Sequence, residues 1–140
     1  MDIKTFKPLV DKMYWVILAS TVAILLFMTA VASFSQIALF ITIFADLIVI
    51  YFFVSPLFGY VELRENSVYI KYGLLLSKEI PYEKIRGAVK EHKFYSDSMA
   101  SLKNSFEHVN LKYNTFDVTT VSVVDNDAFI KELEYRLLNR

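Results

Sequence analysis

Cysteine is absent from all 140 residues, which excludes a disulfide framework and any thiolate chemistry. Glycine is almost as scarce: Gly59, Gly73 and Gly87 are the only three, too few for a loop that cradles phosphate. Proline occurs at Pro8, Pro56 and Pro81 alone, so neither helix breaker lies between Pro8 and Pro56. Charge is missing from the same region, where Asp46 is the only formally charged residue from Met13 to Phe58. From Gly59 onward 12 Lys/Arg balance 12 Asp/Glu. A nucleic-acid binder needs a basic face, and this balance argues against one.

What the chain does have is apolar surface, 55% of its residues, gathered mostly in the first half. Residues 13–34 form one apolar run, interrupted only by Ser20, Thr21, Thr29 and Ser33; residues 37–58 form a second. Each meets the roughly 20 residues needed to cross a hydrocarbon core of about 30 Å. One continuous helix through both would be about 65–70 Å long, twice that thickness. The chain is therefore expected to turn near Ser33–Gln36, with a serine capping the second helix. Lys4, Lys7 and Lys12 precede the pair, and Arg64, Lys71 and Lys78 follow it, while the turn has no base. By the positive-inside rule both termini face the cytoplasm of a multi-pass plasma-membrane protein. Residues 1–12 then form a cytoplasmic lead-in. Ala30-Val31-Ala32 also fits a signal-peptidase site, but the apolar run is long for a leader and a second run follows at once.

Asp46 stands out inside the second run. A carboxylate there costs about 2.5–3.5 kcal/mol on insertion scales, so the protonated acid is expected. With a turn near residues 34–35, Asp46 should lie within reach of Ser20 and Thr21. It would either hold the hairpin through their hydroxyls, meet another membrane protein or a second copy, or take part in proton or ion movement.

After Gly59 the hydrophobic period changes to two. Val61-Leu63 and Val68-Ile70-Tyr72 alternate with polar residues around an Arg64-Glu65-Asn66 turn. Further strands are predicted at 74–80, 85–93, 109–113 and 118–124, with residues 96–104 a loop or weak strand. Asp125-Asn126-Asp127 can cap a final amphipathic helix bearing Phe129, Ile130, Leu133 and Leu137. The expected fold is α+β: an N-terminal two-helix transmembrane hairpin, then six or seven antiparallel strands in a bent sandwich or barrel, capped by one C-terminal helix.

No catalytic motif is present, and no cofactor or metal is expected. His92 and His108, beside Glu91 and Glu107, read as solvated surface histidines. Lys84, Arg86 and Lys90 offer a modest basic stripe for headgroups or a partner, or else a solvated face.

The segments YVELRENSVYIKYGLLLSKEIPYEKI, SMASLKNSFEHVNLKYN and VSVVDNDAFIKEL, following two apolar runs, resemble the YyaB-like bacterial PH domain family, relatives of the sublancin immunity protein. The marks that carry the resemblance include Gly73, Pro81, Tyr113, Phe129 and Leu133. Where that family often has an arginine ahead of the strand at 109–113, this chain has Lys103-Asn104-Ser105-Phe106. The resemblance implies a PH-like domain over 60–140, tethered to the bilayer and non-enzymatic, meeting a membrane-protein or peptide partner or forming a homo-oligomer. An alternative it implies is immunity to a sublancin-like peptide acting at the plasma membrane.

Overall fold

A computed structural model describes residues 2–93, 95, 96, 98, 101–103 and 105–139. Two long helices, α1 (Lys12–Ala32) and α2 (Gln36–Val54), form an antiparallel hairpin, and a 3-10 turn (Ser55–Phe58) extends the second. With that turn they are 21 and 23 residues long, apolar enough to cross a membrane, and their spans are almost entirely unburied within the protein. Ser35 begins α2 as its N-cap, its hydroxyl accepting from the Ala38 amide at 3.5 Å. Tyr14, Leu18, Thr21, Leu25, Thr29 and Ala32 of α1 are sheltered, at spacings of three or four. That spacing keeps them on one face of the helix. The other faces carry exposed Phe27, Ile37 and Phe44.

The remainder forms two four-stranded sheets and a helix. The first has the order β1 (Lys4–Phe6), β2 (Tyr60–Leu63), β3 (Ser67–Lys71), β4 (Ser77–Pro81). The second has β5 (Ile85–His92), β7 (Glu107–Tyr113), β8 (Asp117–Val121) and β6 (Ser101–Leu102), in that spatial order. Helix α3 (Asn126–Leu138) follows. Its N-cap Asp125 accepts from the Ala128 amide at 2.9 Å. Val61, Leu63, Val68 and Ile70 from the first sheet meet Val109, Leu111 and Val121 from the second, and Phe129 and Leu133 of α3 close the core. Each such side chain contributes about 1.5–3 kcal/mol through burial. Tyr113 is buried and its hydroxyl accepts from Lys78 Nζ at 2.5 Å, while Pro81 ends β4 and begins the 3-10 turn Tyr82–Lys84.

Antiparallel pairing makes the connections alternate between two ends. Arg64–Asn66, Tyr82–Lys84 and Asn114–Phe116 gather at the end away from the helices, joined by Tyr82 N–H to Asn66 O (3.1 Å) and Asn114 N–H to Lys84 O (2.9 Å). The Tyr72–Leu76 loop and the segment before β7 lie at the helix end, where they bond Ser55 and Asp11.

Several expectations need correction. The lead-in before α1 supplies β1, paired antiparallel with β2 from Lys4↔Leu63 to Phe6↔Val61; a strand of three residues gives no period of its own to read. Leu74–Leu76 is a loop, because Gly73 is pressed onto Ser55 and Tyr72 N–H closes the loop on Leu76 O at 2.9 Å. Among the described residues the sheets hold eight strands, and one pair, β6 with β8, is parallel. Of the 96–104 loop, residues 97, 99, 100 and 104 lie outside the described residues. His108 is fully buried and only His92 is exposed. β7 is central in its sheet, between β5 and β8, and its His108 and Asn110 are buried alongside Val109 and Leu111.

Candidate functional site at the junction of hairpin and sheets

The hairpin base is fastened to the domain at several points. Asp11 is the N-cap of α1, yet its carboxylate turns away from the helix and accepts from the Phe106 amide at 2.9 Å. Across the base, the Tyr14 hydroxyl donates to Phe53 O, one of the carbonyls a helix end leaves without an ordinary partner. Ser55 Oγ accepts from the Leu74 amide at 3.0 Å. A Cβ on Gly59 would stand 2.5 Å from both Leu102 Cδ1 and Lys71 O, so only glycine fits where the chain enters β2. Leu9 N–H to Ser122 O (3.1 Å) and Val124 N–H to Lys7 O (3.0 Å) bind the approach to α1 onto the second sheet.

Between these ties opens a cleft of about 310 Å³, walled by Tyr14, Phe52, Phe53 and Phe106, with Asp11 and Lys103 among its polar members. Burial holds the Lys103 ammonium below the usual lysine value, and Asp11 opposes that shift. The cleft can shelter an apolar group beside one positive and one negative charge. Its serine, Ser105, is committed to structure: Oγ donates to Glu107 O at 2.6 Å and lies 2.5 Å from Ser122 Oγ. His108 Nδ1 is 2.9 Å from Phe106 O, and its buried Nε2 is 3.8 Å from Glu91 Oε2 with no hydrogen-bond partner among the described residues. Neither group assembles a nucleophile with a base. Among the described residues no set of three or more His, Cys, Asp or Glu could hold a metal ion.

The intramembrane pair expected from sequence is rearranged. Asp46 Oδ2 lies 2.5 Å from Thr29 Oγ1, which also donates to Leu25 O at 2.9 Å. Ser20 is exposed, and Thr21 lies on the sheltered face of α1 without being the described partner of Asp46. Helical side chains lean toward their own N-terminus. In this hairpin Thr29 therefore leans toward the base and Asp46 toward the turn, so the two approach each other. One hydroxyl hydrogen serves either Leu25 O or Asp46 at a time, and an amide at position 46 can in turn donate to the hydroxyl. Asp46→Asn is accordingly expected to leave stability nearly unchanged, whereas Asp46→Leu should loosen the hairpin by about 0.5–2 kcal/mol. A double-mutant cycle with Thr29→Val in detergent checks this; independent effects of the two substitutions would refute the pair.

Lys84, Arg86 and Lys90 do not come together as a stripe at the helix end. Lys84 and Arg86 stand at the far end, and Lys90 is engaged by Asp127 (2.9 Å) and Glu107 (3.4 Å). The junction residues Asp11, Ser55 and Phe106 carry no functional signature in the sequence. The tertiary partners of Asp11 and Ser55 lie 95 and 19 residues away.

No curated protein and no solved structure matches the chain. A family model described as bacterial PH domain matches residues 59–137. This is the region of two sheets closed by a C-terminal helix, and it is more than half of the chain. The chain belongs to the bacterial PH domain family.

Proposed function

We propose that this protein is a membrane-tethered, non-enzymatic interaction module: α1 and α2 span the plasma membrane, and the PH-like domain works on its cytoplasmic side. The observation that carries the reading is the outward surface of the hairpin. Phe27, Ile37 and Phe44 are 70%, 75% and 61% exposed, and the whole pair presents apolar side chains that nothing in the chain covers. Soluble monomers rarely expose contiguous apolar patches beyond a few hundred Å², whereas lipid accommodates such a surface at no cost. The basic residues at the base and their absence at the turn support a cytoplasmic domain. The partner would be a membrane protein, a peptide or a second copy, met by the exposed far end, where Lys84 and Arg86 stand. Peptide immunity would use the same tether, but no residue in the junction favours it.

Because the chain has no cysteine, single cysteines report topology without background. In intact cells Ser35→Cys, at the turn, should react with a membrane-impermeant maleimide. Phe116→Cys, 90% exposed at the far end of the domain, should react only after permeabilisation. The reverse pattern would overturn the orientation. Photo-crosslinkers at Arg86 or Phe116 in native membranes should give discrete adducts, and none from either position would sink the interaction reading.

A further inference from the structure

We infer that the Leu74–Leu76 loop is a third membrane contact, inserting among the lipids beside the end of α2 and fixing how the domain sits on the bilayer. This rests on the reading of the two helices as spans. The three leucines are 47%, 80% and 66% exposed and consecutive, whereas the domain's other exposed aliphatic residues, Val89, Val124 and Leu138, stand singly in the sequence. They sit in a loop whose level along the helix axis is set by bonding. Leu74 N–H donates to Ser55 Oγ at 3.0 Å, and Gly73 lies so close to Ser55 that a Cβ would come within 2.0 Å of its hydroxyl. Ser55 directly follows α2. The loop therefore cannot ride up the domain away from the membrane without breaking this seat.

The apolar surface is also continuous. Tyr51 and Phe52 from the last turn of α2 share one concave surface with Tyr72, Leu75 and Leu76. Lys71 and Lys78 flank the leucines, and no acid lies between them. Lys78 is held above the usual lysine value by its hydrogen bond to the Tyr113 hydroxyl, so its charge persists. An apolar tip with cationic shoulders, level with the end of a span, matches an acyl-chain region beneath anionic headgroups. A protein partner would have to reach this patch through the headgroup layer. With this end seated, the alternation of connections aims Arg64–Asn66 and Asn114–Phe116 away from the bilayer.

The test uses the full chain in vesicles of phosphatidylcholine and phosphatidylglycerol, with bimane on single cysteines at Leu75, Phe44 and Phe116. Lipids carrying a nitroxide on the acyl chain serve as quenchers. Leu75 and Phe44 should both lose emission, Leu75 more strongly to shallow than to deep nitroxides, while Phe116 keeps its emission. Quenching at Phe44 without quenching at Leu75 overturns the third contact and leaves the spans standing. Blue-shifted but unquenched emission at Leu75, rising with protein density, assigns the patch to a second copy and also overturns it. Absence of quenching at both Phe44 and Leu75 defeats the spans, and the loop contact falls with them. Leu76→Cys, 66% exposed in the native protein, repeats the measurement from a neighbouring position should labelling at Leu75 disturb the loop.

Discussion

Arg136→Ala is expected to destabilise the PH-like domain by about 3–5 kcal/mol, the cost of breaking a buried charged network from one side. Arg136 is 3% exposed. Its Nη1 donates to Leu63 O at 2.9 Å and Arg64 O at 3.0 Å, its Nη2 to Asp2 O, and its Nε to Glu132 Oε1 at 2.9 Å. One side chain thus ties α3 to the end of β2 and to the segment ahead of β1, while Lys4 Nζ meets Glu132 at 3.0 Å. Truncation leaves carbonyls without donors and removes the buried partner of Glu132. A domain holds only about 5–15 kcal/mol in total, so the loss should show as a large fall in the urea midpoint of the detergent-solubilised chain. Arg136→Lys keeps the charge but not the fork and should recover only part. A midpoint for Arg136→Ala within experimental scatter of the native one would refute the network.

The same network sets an acid limit. The hydrogen bond from Arg136, then that from Lys4, holds the Glu132 carboxyl below the usual range. A lowered carboxylate contributes stability above its unfolded value, about pH 4.3, and loses it as pH falls through the lower folded value. Arg136→Ala should therefore weaken the dependence of the melting temperature on pH in that acid window.

Gly73→Val is expected to cost about 1–3 kcal/mol through overpacking and to part the domain from the hairpin locally. The first carbon of any side chain there would meet Ser55 Oγ at 2.0 Å, Ser55 O at 3.0 Å and Ser55 C at 3.1 Å. The hydroxyl can move and the backbone cannot, so Ser55→Ala should rescue Gly73→Ala only in part. The Leu74 amide, which now donates to Ser55 Oγ, should exchange its hydrogen much faster in Gly73→Val, while amides of β7 in the core remain protected. Native-like exchange at Leu74 would show that the close approach is not needed. Glycine is required here for space. The residue has no positive φ, so the turn itself does not demand it.

Short-range physics explains what was legible without coordinates. Two apolar runs near the bilayer length, the alternation at Val61–Tyr72 and the capped stripe of α3 each depend on residues within a few turns of one another. Their elements follow from sequence alone, and so do the core roles of Phe129 and Leu133, which fall on the apolar stripe of α3. Other features depend on meetings between distant segments. That Asp46 finds Thr29 and not Ser20 was decided by the lean of side chains on two antiparallel helices. That His108 is buried was decided by the tertiary neighbours of a central strand, since its local pattern is that of any half-exposed strand. Leu74–Leu76 has the composition of a core strand, but the seat of Gly73 on Ser55 turns it into a loop at the helix end. Local periodicity thus determined which elements form. Tertiary contacts decided which polar groups pair, which strand the N-terminal segment joins and which leucines stay uncovered, because those outcomes depend on distances between segments that no local pattern encodes.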